Sequence, residues 1–407
     1  MTFSGIALAD MPEKPDELTI MNDPEWSTHN APGIEQFEED YGIEVNEVVI
    51  PYDQLFDQLT TSIAGGETVD VLYMSNSWHA EMGIQEMILP IDEFLTDELK
   101  DQYLPAAIEL MQAHEETWGL PLMAAMPYFF YNTEMLDELG YDPPDTWEEV
   151  EEISRAAIEE GLADHGLFLG LAPEEGLMVY FDVFLKLNGG QWLSEEDDEW
   201  VFNSEAGVEA LEYMKHLMDE GIAPRAGLET LDRDSWHSFV ANRAPFHFNW
   251  ASSYLIMQDP DRSAVVGDVG ATEIPGKELE TYATLGGGGL AIGATTRSPE
   301  WAFELLKYVT GEEAARSVLH EGGAPPAWAD LYDEPETYEV SPMLDVYEAQ
   351  MEYAGFRPSA FLTWYSEFRD NYFLPRIHSA LAGDVDPQEA LDAAQEEAQN
   401  RLDEEGY

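Results

Sequence analysis

The sequence predicts an α/β protein of two domains. Three observations lead there. The chain has 407 residues, more than one ordinary hydrophobic core organises. Hydrophobic residues make up 44% and aromatics 12%, enough apolar material to fill well-packed cores despite the charge. The stretch from Glu17 to Met74 alternates strand and helix signals in the order β-α-β-α-β, the pattern of a parallel sheet with right-handed crossovers.

The elements follow in order. Residues 1–17 form a polar, linker-like lead-in, and "ELTIM" (17–21) reads as a buried strand. "APGIEQFEEDYG" places Ile34, Phe37 and Tyr41 at helical spacing and stops at Gly42. "IEVNEVVI" alternates as a strand. "YDQLFDQLTTSIAGG" sets Leu55, Leu59 and Ile63 on one helix face, and "VDVLYM" (69–74) is a short apolar strand. Ligands of such sheets sit beyond the carboxyl ends of the strands, where Ser75–Trp78 would lie. "TWGLPLMAAMPYFFYN" (117–132), interrupted by Pro121 and Pro127, reads as extended chain passing from one region to another. Further helices are expected from Asp145 as N-cap, from Ser204 as cap, and from Ser298-Pro299 to Gly311. "APFHFNW" is a strand ending in Trp250. Asp386 before Pro387 caps an acidic final helix.

Charge excludes several functions. Asp and Glu number 84 against 17 Lys and Arg, a formal net charge of -67 spread along the whole chain. Such a shell repels itself at low ionic strength, whereas at 1 M salt the Debye length falls to roughly 3 Å. This predicts a protein of a salt-loving organism. An acid-stable protein is the rival reading, which the scarcity of Lys disfavours. No basic stripe exists to meet nucleic acid or an anionic membrane. Without cysteine there is no disulfide framework and no thiolate site. The nine histidines are scattered without a His-x-x-x-His pair, so no metal and no cofactor is expected. No Gly-x-Ser-x-Gly elbow marks a nucleophile, and no catalytic residue is assigned. No run of 18 apolar residues suggests a membrane span, and the apolar patch near the start lacks the basic flank of a signal peptide.

Four consecutive glycines, Gly286–Gly289, loosely fit a dinucleotide fingerprint. A phosphate loop needs a helix directly after the glycines, and here the β-prone "LAIGATT" follows. Apolar flanks argue against a linker. What remains is backbone that must approach something closely. Trp26, Trp78, Tyr128 and Trp250 each sit near a strand end or crossover. Flat rings among polar neighbours suit the apolar face of a sugar, although each ring singly also suits a core or rim position.

Several stretches together, in order, resemble family 1 of the extracellular solute-binding proteins, the sugar receptors of ABC importers of the maltose- and trehalose-binding kind. They are "IEQFEEDYGIEV", "IAGGETVDVLYMSNSWHAEMGIQEMILPIDEFL", "WGLPLMAAMPYFFYNTEMLDELGYDPPDTWEEV", "LNGGQWL", "FVANRAPFHFNW", "TLGGGGLAIGATTRSPEWAFELLKYVTGEEA", "GFRPSAFLTWY" and "IHSALAGDVDPQEALDAAQEEAQNRL". The resemblance covers roughly residues 18–403. It implies a type II periplasmic-binding-protein fold: two α/β lobes with a hinge near Ala124–Met126 and a ligand cleft between them. On this reading the first lobe comprises 18–125 plus 270–311, and the second 126–269 plus 312–407. It further implies a monomeric binding protein, not an enzyme. Such a protein captures a neutral sugar or polyol outside the cell and delivers it to the transmembrane subunits of an ABC permease. An export signal and surface anchor are expected upstream of residue 1.

By the same resemblance, Trp250 matches the stacking aromatic that follows a second-lobe strand. Asn76, Ser77 and Trp78 lie on the first-lobe loop that reaches the sugar, and Tyr128 lies where second-lobe side chains meet the cleft. Arg357 with Pro358 matches an "RP" motif whose Arg contacts ligand in some members. Glu25 and Trp26 fall on the first loop, where spacing is poorer. Disaccharide receptors carry "LGGW" where this chain has Leu285-Gly286-Gly287-Gly288. The expectation is a cleft loop lacking a stacking ring, with Gly287 and Gly288 offering backbone donors. A secreted glycoside hydrolase, with two carboxylates facing across the cleft, and a binding protein for a non-sugar solute are the alternatives.

Overall fold

The computed structural model describes residues 11–194 and 199–405. The chain divides into two compact units. One comprises Met1–Ala125, Leu285–Pro342 and Pro358–Tyr365; the other comprises Met126–Thr284, Met343–Arg357 and Ser366–Tyr407.

The first unit is built on a six-stranded sheet. Glu17–Asn22 lies between Glu44–Val49 and Val71–Ser75, all parallel, with Asn22 opposite Val49 and Ile20 opposite Val71. The helices Pro24–Tyr41 and Tyr52–Ala64 make the crossovers. Leu55, Leu59 and Ile63 face inward, as their spacing requires. Gly286–Gly293 then runs antiparallel to Val71–Ser75 on one side and to Leu120–Ala125 on the other, and Ile88–Leu89 also pairs with it. The glycines are therefore interior to a central strand, not a loop. A Cβ on Gly288 would stand 2.5 Å from the Met74 carbonyl oxygen, and one on Gly289 would stand 1.9 Å from that of Leu120. Gly287 has φ +117°, a conformation that L side chains rarely adopt. The close approach anticipated for these glycines is to neighbouring strands of their own sheet.

Two helix starts differ from expectation. Pro24–Tyr41 begins ten residues before the apolar spacing that signals it, because the Asp23 carboxylate accepts from the amides of Glu25 (2.8 Å) and Trp26 (3.0 Å). Glu25 and Trp26 thus occupy a first helical turn rather than a loop. The helix Trp147–Glu159 is capped by Thr146, not Asp145, since a reciprocal capping box with Glu149 closes that end. Asp386 does accept from the Gln388 amide (3.0 Å) at the start of Pro387–Glu405.

The second unit holds a three-stranded antiparallel sheet in which Pro127–Asn132 lies between Val269–Thr272 and Phe246–Trp250. Phe129 and Phe248 pack on Trp147, which is fully buried, and Phe246 packs on Phe129. A short parallel pair, Ala283–Thr284 with Ala354–Gly355, adds two strands.

The segment boundaries differ from those drawn on the sequence. Residues 270–284 belong with the second unit, because Val269–Thr272 is hydrogen-bonded along Pro127–Asn132. Residues 312–342 belong with the first, where Glu312–Ser317 packs on the helix Pro24–Tyr41 and the Ala327 amide donates to the Leu122 carbonyl (2.9 Å).

Candidate functional site

In the first unit the polar and aromatic groups gather where the parallel strands end. Asn22 closes its strand with a fully buried amide that donates to Glu47 Oε1 (2.9 Å). Burial raises the Asp23 carboxyl above its ordinary range, against the lowering effect of the two amides it caps. After Val71–Ser75 the chain turns tightly: Ser77 N and the Ser77 hydroxyl both meet Ser75 Oγ, and Trp78 N donates to the Ser75 carbonyl (3.0 Å). Asn76 N donates to the Gly287 carbonyl (3.2 Å), which brings two expected site residues together across adjacent strands.

Tyr73 organises the rings of this region. Trp26 lies 4.5 Å from it and Trp78 5.5 Å, centroid to centroid. Tyr52 stacks on Trp78 at 5.6 Å, and Phe56 leans on the same indole at 5.2 Å. Trp26 and Trp78 keep only 4% and 6% of their surface, whereas Tyr52 keeps 42%. The two tryptophans are wedged against other rings, so the exposed ring of the group is Tyr52.

In the second unit the centre is Asp232. Its Oδ1 accepts from the Tyr180 hydroxyl (2.7 Å) and the Asn249 amide (2.8 Å), and its Oδ2 accepts from the Trp250 indole Nε1 (3.1 Å). The Asn249 amide also reaches the Asp232 carbonyl (2.9 Å), and the Asp232 amide donates to Glu174 Oε1 (2.8 Å). Burial pushes the Asp232 carboxyl up to about 7; Glu174 adds to the rise, while the hydrogen bonds from Tyr180, Trp250 and Asn249 oppose it. Trp250 itself is half-buried at the last position of its strand. Tyr128 sits opposite Asn249 in the sheet, 1% exposed, with a hydroxyl that meets no partner among the described residues.

Arg357 is also buried, at 3% exposed. Its Nε donates to Glu175 Oε1 (2.9 Å) and its Nη1 to the Thr284 hydroxyl (3.3 Å), while Arg369 holds the other Glu175 oxygen at 3.1 Å. The guanidinium thus joins the start of the helix Glu175–Leu187 to the strand end at Thr284. Among the described residues no group of three or more His, Asp or Glu side chains is gathered to hold a metal ion, and no helix is long and apolar enough to cross a membrane.

A model of the bacterial extracellular solute-binding protein family matches residues 27–316, most of the chain. The chain belongs to this family. Its fold is that of solved solute-binding proteins. Maltose-bound MalE3 of T. maritima is 25% identical, with a TM-score of 0.82 over 94% of this chain and 98% of that one. A solute-binding protein of Thermotoga lettingae, solved with α-D-tagatose, is 22% identical with a TM-score of 0.82, covering 95% and 99% of the two chains. A putative binding protein of Brucella abortus is 26% identical over 227 residues, 54% of this chain, and the chain spans about half the length of that curated relative, 55%.

Within the solute-binding protein, the expected residues fall into two sets. Glu25, Trp26, Asn76, Ser77, Trp78, Gly287 and Gly288 belong to the first unit, and Tyr128, Trp250 and Arg357 to the second. Residue spacing did not point to Tyr52, Tyr73, Tyr180, Asp232 or Asn249. Tyr52 had a usable signal, since it follows the second parallel strand as Asp23 follows the first. Asp232 had none: it lies 18 residues from Trp250 in a chain of 84 acids.

Proposed function

We propose that this solute-binding protein captures a neutral sugar or polyol and passes it, chemically unchanged, to the transmembrane subunits of an ABC importer. The observation that carries the reading is the half-buried Trp250 at a strand end, its N–H edge held by a buried carboxylate. A pyranose or polyol chain offers C–H faces to such a ring and hydroxyls to the groups around it. The ligand named for the T. maritima relative, maltose, supports the sugar class, as does the maltotriose named for a Pyrococcus abyssi relative that is 21% identical.

Of the remaining expected residues, Asn76 and Ser77 suit hydroxyl contacts, whereas the backbone at Gly287 and Gly288 is paired within its own sheet and serves to hold the Asn76 turn in place. Tyr128 has an unengaged buried hydroxyl that also suits hydroxyl contacts. Trp26 and Trp78 would act mainly by shaping the surface that Tyr52 completes. Glu25 and Arg357 are the weaker members. Arg357 is engaged within its own unit, and its proposed effect on ligand is through Glu175 and Thr284.

We place the protein outside the cell, held at the membrane surface near its permease, as its family's extracellular role supports. Calorimetry on the purified chain in molar salt, against maltose, tagatose, ribitol and mannitol, tests the ligand class. Binding of at least one without turnover is expected. Cleavage of maltose would instead support the hydrolase reading.

A further inference from the structure

We propose that Asp232 is a positioning residue for solute binding, acting through Trp250: its carboxylate fixes the orientation of the indole and keeps the ring set for the solute. The inference rests on the reading of Trp250 as a solute-contacting ring and names a group that residue spacing did not point to.

The geometry carries it. A ring on a strand end has two soft side-chain torsions, and one directional bond to its N–H removes much of that freedom. Oδ2 of Asp232 supplies this bond at 3.1 Å. The carboxylate cannot easily swing away, because Oδ1 is gripped from two other elements by Tyr180 and Asn249. Asn249 is the residue before Trp250, and its own side-chain oxygen accepts the Trp250 backbone amide at 2.7 Å. Side chain and backbone of Trp250 are therefore tied to one hub. Three protein donors converge on the Asp232 carboxylate, so its role is assigned to holding the ring rather than to contacting the solute.

The hub also has a pH response built in. The titratable groups facing it are Glu174, which accepts its backbone N–H, and Tyr180; Arg233 is next in sequence and lies near enough to Glu174 to lower that carboxyl. Its carboxyl titrates near neutrality because of burial. Protonation weakens the charge-assisted bonds to Trp250 and Asn249.

The test combines two measurements in molar salt. Affinity for maltose and ribitol is measured by calorimetry for the wild type, Asp232→Asn, Trp250→Phe and the double variant. The indole N–H resonances are recorded by NMR, with Trp250 assigned by its loss in Trp250→Phe. The expected result is about a tenfold loss of affinity for Asp232→Asn in the wild-type background and less than about twofold in the Trp250→Phe background. The Trp250 resonance is expected to move in Asp232→Asn and to titrate between pH 6 and 8, a window on the order of one unit either side of the carboxyl. Equal losses in both backgrounds, or a Trp250 resonance unmoved by Asp232→Asn while sugars still bind, would overturn the positioning role alone. A wild type that binds none of the sugars tried would overturn the sugar reading, and the positioning role with it.

Discussion

A Cβ built on Gly288 stands 2.5 Å from the carbonyl oxygen of Met74 on the neighbouring strand. No rotation of a side chain relieves that contact, because both partners are backbone. Gly288→Ala is expected to cost about 3 kcal/mol or more, and Gly288→Trp to prevent folding rather than to restore a stacking ring. Urea unfolding in molar salt reads the first and a circular dichroism spectrum the second. A folded Gly288→Trp protein with tighter maltose binding would show that the strand assignment is wrong.

The buried Arg357 pairs with the partly exposed Glu175, and its guanidinium also serves Thr284. Replacing Arg357 by Met takes one guanidinium away from Glu175 and that donor away from Thr284. The expected cost is about 2–4 kcal/mol, largely persisting in molar salt because the Arg357 end of the pair is buried and poorly screened. A midpoint unchanged in urea would indicate that the pair contributes nothing.

Asp232 gives a pH prediction with a definite sign. Its carboxyl lies near 7 in the fold against 3.8 for the unfolded group, so the folded state binds the proton more tightly. Its contribution to stability is fully present below pH 3.8 and is lost as pH rises through 7. Across that window wild type should lose up to about 4 kcal/mol relative to Asp232→Asn. Urea midpoints of both proteins at pH 4, 6 and 8 measure it, taken at about constant ionic strength. Parallel pH curves would contradict the assignment.

The net charge of -67 predicts salt dependence of the whole fold. Dialysis from molar to millimolar salt at pH 7 should abolish the helical circular dichroism signal as screening fails. An unchanged spectrum would contradict it.

Much of this fold was legible in local pattern. The strands and crossover helices up to Ser75 follow from apolar spacing and glycine stops, and Trp250 ends its strand where the sequence puts it. The glycine run was legible as close backbone approach, but its partner was not. Which strand it meets depends on pairing with Met74 and Leu120, more than 160 residues away in sequence. The caps at Asp23 and Thr146 turn on local side-chain bonds to backbone amides that neighbouring acids mimic in sequence. Asp232 was hidden for the same reason on a larger scale: among so many carboxylates, only burial and three converging donors single one out.

If the protein binds a neutral sugar or polyol through the ring of Trp250, removing that ring must weaken binding. The most direct measurement is the calorimetric affinity of wild type and Trp250→Ala for maltose and ribitol in molar salt. Saturable 1:1 binding to wild type is expected, with a loss of at least about 2 kcal/mol, some thirtyfold, in Trp250→Ala with the fold intact. Equal affinities in the two proteins, or no binding to either sugar, would contradict it.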